Sequence, residues 1–249
     1  MGQLEGKVAL VTGGNSGMGL AMAQEFARQG ARVVIFGRDL ESLRRAEETI
    51  AGECLSVAGD VRSLDALARL AKDVQDRFGS IDILVANAGG ATIEPFHEVT
   101  EETFDYQSDV NFKGVFFTIQ YLLPKMNDAG AIIIVSSSAN SRAVPGMSVY
   151  GAAKSAVRSL ARTLTLELAD RKIRVNVLTP GPVATAAYER TGLSEEEIAA
   201  FQSRQSEQIP LARIGDPQEM AQAALFLASS ASSFVAGAEL VADGGMTQV

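Results

Sequence analysis

The sequence predicts a doubly wound α/β fold on a seven-stranded parallel sheet. Short β-branched apolar runs alternate with longer amphipathic stretches along the whole chain. A glycine-rich turn separates the first such run from the first helical stretch, and no Pro- or Ser-rich linker or solenoid-type repeat divides the 249 residues. Alternation on this rhythm means βαβ units, and nearly continuous apolar strands mean a sheet covered on both faces.

Taken in order, Val8–Thr12 and Arg32–Gly37 are the first strands, with a helical pattern over Gly19–Gln29 between them. Leu40–Ile50 is the next helix, and Leu55–Ala58 a weaker strand. Ser63–Phe78 is helical, Ile81–Ala86 the fourth strand, and Glu101–Lys125 reads as one long helix. Ala131–Ser136 and Arg174–Leu178 are strands flanking the helix Ser148–Ala169. Pro217–Ser229 and Glu239–Ala242 supply the last helix and strand. The segment Pro182–Ile214 breaks the rhythm, being long and polar for a connection, and reads as a lid or helical insertion. Ser194 followed by Glu197 fits a capping box, so a short helix starts there. The expectation is a single domain over 1–249 with a small lid at about 182–214.

Composition narrows the function classes. The hydrophobic fraction is 47% and the charged fraction 21%, as in globular chains. A net charge of −8 without a dense Lys/Arg run argues against nucleic-acid or anionic-membrane binding. The longest aliphatic run, Ala131–Val135, is far short of the ~20 apolar residues of a membrane span. The N-terminus, with Glu5 and Lys7, does not read as a secretory signal. Gly6 stands where a myristoylation pattern wants Ser or Thr. Cys54 is the single cysteine and His97 the single histidine, so neither an intrachain disulfide nor a metal cluster is expected, and a cytoplasmic location is. His97 reads as a loop or surface residue.

Two segments carry chemistry. Thr12-Gly13-Gly14-Asn15-Ser16-Gly17-Met18-Gly19 stands between the first strand and first helix, the context in which a glycine turn holds a pyrophosphate against a helix N-terminus. The end of the second strand reads the ribose: an acid there suits a 2′-hydroxyl and an arginine a 2′-phosphate. Gly37 takes the acid's place and Arg38 follows, which favours NADPH over NAD, while Asp39 could pair with Arg38 or contact the ribose itself. Asp60, before Val61, is either an acceptor for the adenine amine or an ordinary turn aspartate. Asn87-Ala88-Gly89 ends the fourth strand on the edge where open α/β sheets bind ligands.

The second segment is Tyr150-Gly-Ala-Ala-Lys154. On a helix this spacing puts phenol and ammonium on one face. A tyrosine pKa near 10 needs about 4 kcal/mol of help to reach neutrality, about what one cation at ~4 Å provides at an effective dielectric near 20. Such a pair can therefore make an acid/base group that works at physiological pH.

With these residues in view, the chain resembles the short-chain dehydrogenase/reductase family from about Leu4 to Val249. The family's Thr-Gly-x-x-x-Gly-x-Gly is similar to Thr12–Gly19, and its Asn-Asn-Ala-Gly to Asn87–Gly89, with Ala86 in place of the first Asn. Its strand-ending serine falls on Ser137, between Ser136 and Ser138, and its mid-helix asparagine on Asn111. Its Tyr-x-x-x-Lys is Tyr150 and Lys154, its Pro-Gly-x-x-x-Thr is Pro180, Gly181 and Thr185, and its Asp-Gly-Gly is Asp243–Gly245.

The resemblance implies a Rossmann-like fold and an NAD(P)-dependent enzyme interconverting a ketone and a secondary alcohol. Tyr150 would exchange the proton with the substrate oxygen. Lys154 would lower the Tyr150 pKa and bond the nicotinamide ribose. Ser137 would hold the substrate oxygen, and Asn111 would anchor a water linking Lys154 to solvent. Gly13, Asn15, Ser16, Gly17, Met18, Gly19, Arg38, Asp60, Val61, Asn87, Ala88, Gly89, Pro180, Gly181, Val183 and Thr185 would hold NADP, with NAD as the alternative. Val144, Met147 and Tyr188 would line the substrate side. A homotetramer is implied too, since in this family the Tyr150 helix often pairs with its copy, where Val157, Leu160, Leu164 and Leu168 form an apolar stripe. The substrate readings are an ordinary ketone, a 3-oxoacyl thioester or a sugar or polyol. A nucleotide-binding regulatory protein without catalysis is the distant alternative.

Overall fold

Alternate residues of each strand face different helical layers, and this parity builds the molecule. The structure, a computed structural model, describes residues 2–185 and 194–249. Among these, seven strands form one sheet, every pairing parallel: β1 (Val8–Thr12), β2 (Arg32–Gly37), β3 (Cys54–Ala58), β4 (Ile81–Ala86), β5 (Met126–Val135), β6 (Arg174–Pro180) and β7 (Glu239–Ala242). Their spatial order is β3-β2-β1-β4-β5-β6-β7. The helices are α1 (Gly17–Arg28), α2 (Leu40–Thr49), α3 (Leu64–Phe78), α4 (Glu101–Ser108), α5 (Gly114–Leu122), α6 (Ser148–Glu167), α7 (Glu195–Ser206) and α8 (Pro217–Ala228).

Leu10, Val34, Leu84, Ile132 and Val175 point into one core with Leu67 and Leu70 of α3, Ile119 of α5 and Val157 of α6. Their neighbours Val11, Ile35, Val85 and Ile133 point into the other, against Met22 and Phe26 of α1, Leu43 of α2 and Met220 of α8. Because the strand period is two, both faces of an apolar strand are used and a one-residue slip would exchange the cores.

The strand order reverses between β1 and β4, which opens a crevice at the carboxyl edge where ligands of such sheets bind. Around it lie the turns after β1, β4, β5 and β6. The segment after β6 is anchored at its base: Val183 bridges Gly215, and Ala184 and Gly215 donate backbone bonds to Gly215 and Pro182. Within it, α7 is entered from Ser194, whose carbonyl accepts from Ile198 at 2.9 Å. Tyr188 lies outside the described residues.

Two elements differ from expectation. The stretch read as one helix over 101–125 is broken by a wider, π-type turn at Asp109–Lys113 and tightens to a 3-10 turn at Leu123–Lys125. The fifth strand starts at Met126, with a register shift between Ile81 and Ile83 on its partner. The α6 stripe divides as its burial dictates: Val157 and Leu168 are core residues, and Leu164 packs against them.

Candidate active site

Thr12, the last residue of β1, ties the crevice together. Its hydroxyl donates to the Val85 carbonyl and accepts from the Asn87 and Ala88 amides at 3.0 Å. The Asn87 side chain returns a bond to the Thr12 carbonyl at 2.9 Å. The loop after β4 is thus locked to the glycine turn, with Asn87 tying the strand ends together.

The glycine turn fits a dinucleotide's pyrophosphate. Asp39, Ser63, Thr100 and Asp216 cap α2, α3, α4 and α8 with side-chain bonds, but Ser16 gives α1 none, and its first turn holds no acid. The first amides of α1 are therefore available to an anion. A side chain at Gly19 would meet the Gly13 carbonyl oxygen at 2.2 Å, so the turn folds this tightly onto the helix only with glycine there. Gly37 matters differently: a Cβ on it would lie 2.6 Å from Asn15 Oδ1. The Asn15 amide, held by Ser42 Oγ at 2.8 Å, fills the place where an acid would bind a ribose 2′-hydroxyl.

Next to it, Asp39 neither pairs with Arg38 nor turns to the crevice; it caps α2 through the Ser42 amide at 2.6 Å. Arg38 is exposed and reaches the Tyr106 hydroxyl at 3.4 Å. For Asp60 the turn reading wins, since its carboxylate accepts from the Arg62 amide and from Arg62 Nε and Nη2, the last at 2.8 Å. Burial alone would raise the Asp60 carboxyl, but the Arg62 bonds, and the Arg62 and Arg38 charges, hold it below the usual range. Its neighbour Val61 is buried.

A cavity of about 760 Å³ opens beside the turn. The structure brings Met18, Asn87, Gly89, Ser137, Tyr150, Lys154, Gly181, Val183 and Thr185 onto its wall, together with Val144 and Met147. Ala88, Pro180 and Asn111 lie beside this wall rather than on it; Asn111 is fully buried behind Gly89 and Gly90. The wall also includes Arg204, from the segment expected to form a lid, and Gly90, Ile93, Gln208 and Met246, which sequence reading did not assign. Gly90, directly after Asn87-Ala88-Gly89, and Met246, directly after Asp243-Gly-Gly, had nearby signals.

Burial sets the chemistry of the titrating groups. Lys154 is 2% exposed and donates to the Val135 carbonyl at 2.9 Å. Desolvation lowers its ammonium to about 8. The Tyr150 phenol is pushed up by burial, and the Ser137 hydroxyl beside it pulls the other way. Lys154 was expected to lower it. Here the ammonium lies 5.6 Å from the centre of the Tyr150 ring, bonded to Val135, so it does not offset burial. The serine run lies beyond β5, and all three members reach the cavity wall, so strand alternation does not sort them; Ser136 is buried with its hydroxyl on the Lys154 carbonyl at 3.0 Å, whereas Ser137 meets Tyr150.

Asn111 departs in detail from the expectation of a water anchor. Its Nδ2 donates to the Gly90 and Gln107 carbonyls, both at 2.9 Å, and its Oδ1 accepts from the Gly90 amide at 3.1 Å. Both amide protons are committed to protein, so the side chain is first a strut between the π-turn and the loop after β4. Away from the crevice, His97 is exposed beside Glu98, and burial with Glu47 pushes the Cys54 thiol up to about 12, which keeps it from acting as a nucleophile.

A family model described as enoyl-(acyl carrier protein) reductase matches residues 13–247. The chain belongs to the short-chain dehydrogenase/reductase family. As a member of it, the protein is an NAD(P)-dependent oxidoreductase. It is 42% identical to the oxidoreductase asL5 of Sarocladium schorii, over 99% of this chain and 98% of that one. It is 37% identical to the 3-oxoacyl-[acyl-carrier-protein] reductase FabG of Thermotoga maritima, over 98% and 99%. The short-chain dehydrogenase/reductase fold is shared with the L-sorbose reductase of Gluconobacter frateurii, whose structure holds NADPH and L-sorbose: TM-score 0.93, 30% identity, over 100% and 99% of the two chains. No helix among the described residues is long and apolar enough to cross a membrane, and no group of His, Cys, Asp and Glu among them could hold a metal.

Proposed function

We propose that this enzyme interconverts a ketone and a secondary alcohol, with NADPH preferred and Tyr150 as the acid/base. The observation that carries this reading is the convergence of Ser137, Tyr150 and Lys154 on one cavity wall beside the uncapped start of α1. Bound nicotinamide supplies or accepts the hydride at its ring. Everything else falls to the protein. Ser137 holds the substrate oxygen and donates to it as charge develops. Tyr150, kept protonated by burial, gives its proton to that oxygen in reduction and takes it back in oxidation. Lys154, a cation below about pH 8, would turn from Val135 to bond the nicotinamide ribose in the complex, and there favour the phenolate as it forms. A Cβ on Gly89 would lie 2.8 Å from Asn111 Oδ1 and 3.2 Å from Lys154 Nζ. The two groups thus flank the space that glycine leaves, where a water could join them and resupply the proton.

Residues 13–19, 38, 60–61, 87–89 and 180–185 form the cofactor's side of the crevice, with Pro180, Gly181, Val183 and Thr185 against the nicotinamide. Asp60 would serve the adenine only by giving up part of its Arg62 pair. Arg38, with Asn15 filling the acid's place, supports the choice of a 2′-phosphate. The segment 182–214 acts as the lid of a single catalytic domain, and the assembly is a homotetramer in the cytoplasm. The test is absorbance at the reduced-nicotinamide band with a ketone panel and each cofactor. Turnover favouring NADPH supports the reading. Tight binding without turnover on any ketone would instead favour a nucleotide-binding regulatory protein.

A further inference from the structure

We infer that the substrate carries an anionic group, carboxylate or phosphate, several bonds from its reacting carbonyl. The inference rests on the ketone reduction proposed above and narrows its substrate class. Besides the glycine turn, the turn after Ser137 and α7 reach the cavity wall. Each contributes an arginine to the wall, Arg142 and Arg204. No aspartate or glutamate lines the cavity among the described residues, and the remaining cation there, Lys154, is already engaged with Val135.

The arginines are placed, not merely present. The Arg142 amide donates to the Ser138 carbonyl at 3.0 Å, which sets its backbone one turn beyond the serine that meets Tyr150. Its side chain is half-buried, and Nη2 donates to Gln208 Oε1 at 2.9 Å. That bond leaves the rest of the guanidinium fork for another acceptor. Arg204, one α7 position from the wall residue Gln205, makes no ion pair among the described residues.

The charge balance of the whole chain sharpens the point. A protein of net charge −8 has few reasons to gather arginines without an ion pair on a cleft where no acid stands among the described residues, other than to attract and orient an anion. Arginine suits carboxylate and phosphate because its planar fork offers two parallel donors. Ile93, Val144 and Met147 give the same wall apolar surface. A ligand that joins its reacting carbonyl to the anion through an apolar spacer suits such a lining. The 3-oxoacyl thioester of a phosphopantetheine and a long-chain oxo acid share this outline; a neutral sugar does not.

The experiment compares matched probes on the holoenzyme. 7-Oxooctanoate is set against its methyl ester, and acetoacetyl-phosphopantetheine against acetoacetyl-pantetheine. The acid should exceed its neutral partner in kcat/KM by about tenfold or more in at least one pair. Arg142→Gln and Arg204→Gln should each collapse that ratio toward one. The pair that shows the preference identifies the anion as carboxylate or phosphate. Neutral partners used as well as the acids, or a ratio that survives both substitutions, overturns the inference. So does a loss of NADPH affinity with the ratio intact, which would assign the arginines to the cofactor. If no probe turns over, the ketone-reduction reading fails. The anion site is then decided separately by calorimetric binding of 7-oxooctanoate to the NADP-bound protein, where equal affinity for wild type and both variants overturns it.

Discussion

Replacing Lys154 by methionine should make the empty enzyme more stable while disabling it. The buried ammonium titrates at about 8 rather than 10.5. Keeping it charged thus costs the folded state about 3 kcal/mol at pH 7. Methionine removes that cost at similar volume, but leaves the Val135 carbonyl without its partner, a loss of about 1–2 kcal/mol. The net gain is about 1–2 kcal/mol, or a rise of about 4 °C in Tm for a chain of this size. The pH dependence gives the sign. Between about pH 8 and 10.5 the unfolded chain holds a proton that the folded chain has shed, so wild-type stability rises with pH through that window. Below it both states are protonated and the penalty is present in full. The advantage of Lys154→Met should therefore be constant from pH 6 to 8 and fade by about pH 10.5. Thermal unfolding of both proteins without cofactor at pH 7 and pH 10 reads this directly. A variant less stable than wild type by the same margin at both pH values would refute the burial argument.

Other outcomes follow from the same geometry. The kcat for ketone reduction should fall as pH rises through about 8, because Lys154 loses the charge that favours the Tyr150 phenolate; a rate that climbs through that range in a pH profile would count against it. Gly89→Ala places a methyl 2.8 Å from Asn111 Oδ1 and 3.2 Å from Lys154 Nζ, both buried, and should cut kcat/KM at least about tenfold with an unaltered circular dichroism spectrum. Arg38→Ala should lower the NADPH-to-NADH ratio of kcat/KM by about tenfold or more; steady-state kinetics that give the wild-type ratio would remove Arg38 from cofactor choice.

Local pattern made most of the sheet legible. Val8–Thr12, Arg32–Gly37 and Ile81–Ala86 are strands with the expected bounds because each is dominated by apolar residues buried on both faces. The break at Asp109–Lys113 left no mark, since the stretch holds no proline and its apolar spacing continues. Its observable partner is a tertiary contact, the Asn111 amide bonded to Gly90 across the fold. Asp39 and Asp60 were ambiguous for a related reason. A carboxylate at a strand end serves a cap, an ion pair or a ligand equally well in sequence. The Ser42 amide and Arg62 decided between them only once folded. Tyr150 and Lys154 were found by their spacing on a helix, and Ser137 by resemblance to the family's strand-ending serine. The segment 182–214 was legible as a lid, but which of its side chains reach the cavity, Arg204 and Gln208 among them, depends on the path of the chain after β6, which spacing does not encode.

The account stands or falls on Tyr150 as the proton-transferring group. The direct measurement is single-turnover oxidation of NADPH by wild type and Tyr150→Phe with a ketone that wild type reduces, cofactor affinity being measured alongside. The phenylalanine fills the same half-buried site and removes only the hydroxyl that meets Ser137. The account predicts a hydride-transfer rate lower by about 100-fold or more, with NADPH still bound. A Tyr150→Phe enzyme that reduces the ketone at the wild-type rate would contradict it.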